Sequence, residues 1–279
     1  MSGGAKAARA ASSDPRLIDQ IKRLESESGG RLGVCVLQTS SGVRRTYRGD
    51  ERFPLCSTFK ALAAAAILAR VDAGSEQLTR RITFDASTIV ANSPVTEKHT
   101  GDGGMTLAEI CEAAVTRSDN TAGNLMLANI GGPSGLTAFV RTLGDDVTRL
   151  DRNETSLNEA LPGDPRDTTT PNAMASNLRA LLFGTEALSA ASREQLTAWL
   201  IANKTGGARL RAGFPNDWRV GDKTGSGERG TANDVAVVWP PSGAPIIVAV
   251  YLTGATIPAA QQSGIIASVA RAVSAIGLN

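Results

Sequence analysis

The 279-residue chain is long enough for one large domain, or two interlocked ones, with a substantial buried core. Its 29 basic and 27 acidic residues leave a net charge of +2 with no long basic run, which gives nucleic acid and membrane surfaces no support as partners. No stretch of about 20 apolar residues offers a transmembrane helix, and the three cysteines, Cys35, Cys56 and Cys111, are too few and scattered for a disulfide framework or a metal site.

Residues 1–10 lack the apolar core of a signal peptide and read as a mature start or a cloning scar. Residues 14–27 open on an Asp-Pro pair and carry Leu17, Ile18, Ile21 and Leu24 at helical spacing, which predicts an amphipathic helix. Residues 31–38 and 43–48, separated by Thr39-Ser40-Ser41-Gly42, read as a β-hairpin. Cys56-Ser57-Thr58-Phe59-Lys60 then leads into an apolar helix through Val71, built on alanine and leucine. Ser57 and Lys60 are three residues apart at its start, so their side chains share a face.

Helical periodicity returns at 107–115, 121–127, 136–143, 171–182 and 192–201, with strand-like residues briefly at 81–84. The interval 145–170 has no period and many charges, the mark of a functional or disordered loop. Three strands follow, at 218–223, 234–239 and 246–252, and a helix at 257–276 closes the chain. The expected fold is α/β plus all-α: an antiparallel sheet flanked by the N- and C-terminal helices, with an inserted helical domain. Residues 14–50 and 208–279 would form the discontinuous α/β domain and 51–207 the insertion, leaving a cleft between them.

A serine needs a partner to take its proton. The single histidine, His99, sits in a polar run with no Gly-x-Ser-x-Gly elbow to pair with it and reads as structural or surface. Lysine is the better base, provided burial or a cationic neighbour depresses its pKa. Three other stretches carry chemistry-bearing residues: Ser118-Asp119-Asn120 at a helix entrance, Lys223-Thr224-Gly225-Ser226 ending a strand, and a loop with Arg152, Glu154, Asn158 and Asp167. Each has a plain reading taken singly, as a helix cap, a hairpin turn and solvated surface charge. The cysteines read as buried, inert thiols.

Together, Ser57-x-x-Lys60, Ser118-Asp119-Asn120 and Lys223-Thr224-Gly225, in that order and with the Glu154 loop, resemble the class A serine β-lactamases over nearly the whole chain. The resemblance implies that Ser57 attacks the lactam carbonyl, that Lys60 accepts or relays the proton, and that the backbone N–H groups of Ser57 and Ser226 hold the oxyanion. Ser118 would hand a proton to the leaving nitrogen. Asn120 would bind the acylamino side chain, and Lys223, Thr224 and Ser226 the substrate carboxylate. Glu154, with Asn158, would activate the deacylating water, while Arg152 and Asp167 would close the loop. Whether Lys60 or Glu154 is the base in acylation stays open.

The resemblance further implies an exported, periplasmic or secreted monomer that confers antibiotic resistance. It would act on small-molecule β-lactam substrates and inhibitors without metal or cofactor, and without nucleic-acid or membrane partners. Some residues depart from the family's pattern. No Arg follows Lys-Thr-Gly within 230–234, and Arg209 fits the alternative place for that cation. Asn92 precedes Ser93-Pro94 where an aromatic is common, and neither Cys56 opposite Gly227 nor Cys111 opposite Ala64 has a disulfide partner. A D,D-peptidase or transpeptidase of peptidoglycan would share the three motifs without needing the Glu154 loop, and a β-lactam sensor, a binding module that acylates once, would normally be attached to a membrane segment.

Overall fold

In the computed structural model, residues 15–101 and 103–276 are described; Asp14, the expected start of the first helix, lies outside them. The chain forms α1 (Pro15–Ser28), the hairpin β1 (Arg31–Gln38) and β2 (Arg44–Tyr47), a short β3 (Phe53–Pro54) and α2 (Phe59–Asp72). After β4 (Arg81–Ile82) and β5 (Met105–Thr106) come α3 (Leu107–Thr116), α4 (Asn120–Asn129) and α5 (Gly132–Thr142). The long loop ends at β6 (Thr168–Thr169), followed by α6 (Pro171–Phe183), α7 (Ala190–Ile201) and the one-turn α8 (Leu210–Gly213). β7 (Arg219–Gly227), β8 (Thr231–Trp239), β9 (Ile246–Thr253) and α9 (Ala259–Ala275) complete it.

The main sheet has five strands in the order β2-β1-β9-β8-β7, all neighbours antiparallel. Antiparallel strands often alternate apolar and polar residues, but residues 235–238 of β8 and 246–252 of β9 are continuously apolar because both faces of this sheet are covered. On β9, Ile246, Val248, Val250 and Leu252 pack with α1 and α9, among Leu17, Ile21, Ile266 and Val269. Ile247, Ala249 and Tyr251 face the other way, into a core with Phe59, Leu62 and residues of α6 and α7.

α2 is buried on every side from Phe59 to Leu68, as expected of a helix that is apolar all round. Its alanines, Ala61 and Ala63–Ala66, let neighbouring helices approach closely. The family fold inferred from the motifs is the one observed.

The elements differ from expectation in detail. The strand expected to end at Lys223 runs on to Gly227, so Lys-Thr-Gly lies within β7 and pairs Lys223 with Val235, Thr224 with Asp234 and Gly225 with Asn233. Glycines that read as turn residues sit inside the ladder, and the chain reverses only at 228–230, where Gly230 has a φ of 62°. α5 starts four residues early because Pro133 occupies its first turn, where a missing N–H has no consequence.

Candidate active site

Ser57 lies in a 3₁₀ turn, Cys56–Thr58, at the head of α2. Cys56 has a φ of 44°, a conformation uncommon for a residue with a side chain and one that concentrates at functional sites. The turn and the first α-helical turn bring Lys60 Nζ to 2.9 Å from Ser57 Oγ. Ser57 donates in turn to Glu154 Oε1 at 3.0 Å, and Glu154 Oε1 lies 2.9 Å from Lys60 Nζ. Serine, lysine and glutamate therefore form a closed triangle. Lys60 also reaches the Ser118 carbonyl at 2.9 Å and Asn120 Oδ1 at 2.7 Å. Four oxygens compete for an ammonium's three hydrogens.

Lys60 is wholly buried. Burial pushes its ammonium below the ordinary lysine range, and the adjoining Glu154 carboxylate opposes this only in part. Gly123 on α4 makes room for it, since a Cβ there would stand 2.7 Å from Lys60 Cε.

Asp119 is the cap that its sequence context predicts. Its carboxylate accepts from Ala122 N at 2.9 Å and also takes Val95 N, Thr96 N and Thr96 Oγ1, which fastens the head of α4 to the segment before it. With Asp119 so engaged, Ser118 (φ 56°) and Asn120 face the lysines on either side of it. Asn120 holds Lys60 with its oxygen and donates to the Ala91 carbonyl at 2.8 Å. Ser118 Oγ accepts from Lys223 Nζ at 3.0 Å.

The Glu154 loop is tied at its base, where Arg152 Nε donates to Asp167 Oδ2 at 2.6 Å while Asp167 Oδ1 takes the backbone N–H groups of 151 and 152. Asn158 Nδ2 donates to Glu154 Oε2 at 2.5 Å. Asn124 on α4 grips the Glu154 backbone twice, accepting its N–H at 2.8 Å and donating to its carbonyl at 3.0 Å. Sequence reasoning missed Asn124; its place on the helix opened by Ser118-Asp119-Asn120 was the only signal.

β7 supplies the other end of the site. Lys223 is buried and donates to Ser118 Oγ and the Thr224 carbonyl. Burial and then the nearby Lys60 charge push its ammonium down to about 7. Arg209 reaches the Gly225 and Asn233 carbonyls and Ser226 Oγ, each at 2.6 Å. Gly225 lets β7 lie against the nucleophile's turn, because a Cβ there would meet the Leu55 carbonyl at 3.1 Å and Cys56 Cβ at 3.2 Å. Asn233 Nδ2 ties β8 to the Pro54 carbonyl at 2.9 Å, a further link that the motifs did not announce.

His99 lies apart, beside Glu109 and Glu112 in a separate cavity of about 210 Å³. Among the described residues no group of three or more His, Cys, Asp or Glu side chains is arranged to hold a metal. The three cysteines are free and buried, and burial pushes the Cys35 thiol up to about 12 and the other two higher still. A Cβ on Gly227 would stand 2.7 Å from Cys56 Sγ, so these two positions do face each other.

A profile of the β-lactamase enzyme family matches residues 16–276. The chain is 49% identical to β-lactamase Toho-1 of Escherichia coli over 255 residues, 91% of this chain and 87% of that one. The chain belongs to the class A β-lactamases. It is 50% identical to β-lactamase AST-1 of Nocardia asteroides over 260 residues, covering 93% and 82% of the two chains. Among solved class A β-lactamases, the last common ancestor of Gram-negative bacteria (GNCA4) superposes with a TM-score of 0.91 at 66% identity, covering 92% of this chain and 97% of that one. The four stretches singled out in this class A β-lactamase thus converge on one cluster, and Arg209 joins it from outside them.

Proposed function

We propose that the protein hydrolyses β-lactam antibiotics through an acyl-enzyme on Ser57 and releases the acyl group with water activated by Glu154. The observation that carries this reading is the triangle of Ser57 Oγ, Lys60 Nζ and Glu154 Oε1, with edges of 3.0, 2.9 and 2.9 Å. Each edge is short enough for proton transfer.

The proton from Ser57 can leave along two edges. It passes directly to Glu154, or to Lys60 after Lys60 has given its own proton to Glu154. Both routes end with Glu154 and Lys60 protonated and Ser57 bonded to the carbonyl carbon, so the acylation base is a question of order. The backbone N–H groups of Ser57 and Ser226 serve the oxyanion. Ser118, whose Oγ is held by Lys223, protonates the leaving nitrogen and recovers its proton from Lys60, which reaches the same residue. For deacylation Glu154 passes its proton to Lys60, which the reprotonation of Ser118 left neutral, and, ionised and steadied by Asn158, takes one from the attacking water.

Asn120 holds the acylamino group. Lys223, Thr224, Ser226 and Arg209 receive the substrate carboxylate, a geometry in which guanidinium and ammonium groups are effective. Arg152 and Asp167 fix the loop carrying Glu154. Glu154 in contact with the nucleophile favours this reading over a D,D-peptidase or a sensor, which need no such residue.

By the same reading the protein confers resistance as an exported monomer. Phe183 is the sole exposed large hydrophobic residue among those described, which gives no apolar face to a second copy. No described helix is long and apolar enough to cross a membrane. The core between the sheet, α1 and α9 draws only on residues of 14–50 and 208–279, which supports these as one discontinuous domain with 51–207 inserted.

The test is hydrolysis of a chromogenic cephalosporin by the native protein and by Glu154→Ala, with mass spectrometry after mixing. The expected result is multiple turnovers in the native protein and a trapped covalent adduct on Ser57 in the variant. A lasting adduct on the native protein would refute the hydrolase in favour of a penicillin-binding enzyme or sensor.

A further inference from the structure

Two carboxylic acids behind the Lys-Thr-Gly strand have no part in the chemistry above. Asp222 on β7 pairs with Ala236, and Asp234 on β8 pairs with Thr224, so the two acids lie diagonally on one face of the sheet. Both are fully buried. Donors take both oxygens of Asp222: Arg211 Nε binds Oδ1, and Asn203 Nδ2 binds Oδ2 at 2.7 Å. Asp234 Oδ2 accepts from Leu210 N at 3.0 Å, whereas no donor reaches its Oδ1. Beside it on the same face of the sheet lies the carboxyl of Asp222, a second buried acceptor. Ionised carboxylates only accept hydrogen bonds, so such a pair requires a proton.

The charges around the pair give that proton a consequence. Arg211 comes from α8, Arg209 from the segment before it and Lys223 from β7 itself; Asn203 after α7, Cys56 beside the nucleophile and Ser263 on α9 face the same region as neutral groups. With both acids ionised, two carboxylates would offset the two guanidinium groups. With one proton held, one positive charge is left over in addition to that of Lys223. Arg211 is bound to Asp222, so the surplus belongs to Arg209, whose hydrogen bonds go only to two carbonyls and the Ser226 hydroxyl, with Ser263 Oγ at 3.5 Å.

We propose that Asp222 and Asp234 share a single proton at neutral pH, and that this proton keeps the charge of Arg209 free for the anionic group of the substrate. Asp234 is then a positioning residue that acts through Arg209, and the functional half of the inference rests on Arg209 as a substrate-carboxylate ligand. Burial and repulsion from Asp222 both hold the Asp234 carboxyl well above the usual carboxylate range. As pH rises and the proton leaves, the cluster loses one unit of positive charge, so affinity for an anionic substrate falls and KM rises.

The first measurement is carbon NMR of the native full-length protein labelled at the aspartate carboxyl carbons. One signal in the protonated range at neutral pH, missing from Asp234→Asn, is expected; finding every aspartate ionised would overturn the shared proton. The second compares KM for a cephalosporin and for its methyl ester from neutral to alkaline pH. Lys223 titrates in the same window, so the comparison is with Asp234→Asn, which can donate to Asp222 but cannot ionise. The native KM for the carboxylate should rise about tenfold more than the variant's, the scale of one charge roughly 10 Å away at a protein surface. The ester should show no such difference. Superimposable profiles would overturn the link to Arg209. An unchanged KM in Arg209→Leu would instead refute Arg209 as the carboxylate ligand, while the NMR signal would still decide the shared proton.

Discussion

Lys60 and Lys223 are both fully buried, yet their surroundings are opposite. Lys60 touches a carboxylate at 2.9 Å, whereas Lys223 donates to a hydroxyl and a carbonyl, with Arg209 on the neighbouring segment bound mainly to neutral oxygens. One end of the site is an internally balanced pair able to move a proton. The other is a group of cations without a touching counter-charge. Burial alone lowers the pKa of both lysines; the partner decides whether the result is a relay or a receptor for an anion.

The largest expected effect comes from the proton-moving end. Ser57→Ala removes the nucleophile and two hydrogen bonds from the triangle, and hydrolysis should fall by about 10⁴-fold or more with no covalent adduct by mass spectrometry. Persisting turnover would remove Ser57 from the mechanism. Lys60→Met and Lys223→Met then test the contrast directly. Lys60→Met should lower kcat by about 10²–10⁴-fold, the range for a lost general base. Lys223→Met should act chiefly on KM for carboxylate substrates, by roughly tenfold to a hundredfold, the size of a lost charge-assisted contact. Steady-state kinetics showing the reverse pattern would break the comparison.

A smaller effect separates the two ends by pH. Lys223 has its pKa lowered to about 7, so in the free enzyme its charge is present below that pH and is lost as pH rises through it. kcat/KM for an anionic substrate should therefore decline on the alkaline side of about 7. A bound carboxylate favours the charged lysine, so the corresponding limb of kcat should lie at higher pH. Coincident limbs in a pH–rate series would place Lys223 outside the substrate's reach.

The two ends were unequally legible in the sequence. Ser57, Lys60, Ser118 and Asn120 fall in short motifs whose spacing follows from a helix start or a cap, so local geometry alone groups them in pairs, while Glu154 stands in a loop without period. Nothing local joins Glu154 to Ser57, 97 residues away; the contact depends on Asn124 gripping the loop backbone and on Arg152 and Asp167 tying its base. At the anion end, Lys223 is visible in the sequence but the end of its strand is not, because Gly225 and Gly227 carry the signature of a turn. Asp222 and Asp234 had no visible role, since a buried acid between apolar strand residues has meaning only once its cross-strand neighbours are known. The order of the sheet was hidden for the same reason: β1 pairs with β9 across more than 200 residues.

The smallest predicted effects compare one glycine at each end. A Cβ at Gly123 would stand 2.7 Å from Lys60 Cε, and one at Gly206 would stand 1.9 Å from Asp222 Oδ2. The clashes look alike, but the obstructing groups differ in freedom. Lys60 has a flexible stem, so Gly123→Ala is relieved by moving the ammonium away from Ser57, and alanine also favours helix α4 by up to about 1 kcal/mol. Asp222 is held by Arg211 and Asn203, so Gly206→Ala must displace an anchored buried carboxylate. Gly123→Ala should therefore lose about tenfold or more in kcat, from a displaced base, with little change in thermal stability. Gly206→Ala should lose about 1–3 kcal/mol of stability, the usual scale for overpacking. Chemical denaturation beside initial-rate kinetics reads both, and equal stability losses would mean that Lys60 is held as rigidly as Asp222, leaving no mobile relay at the proton-moving end.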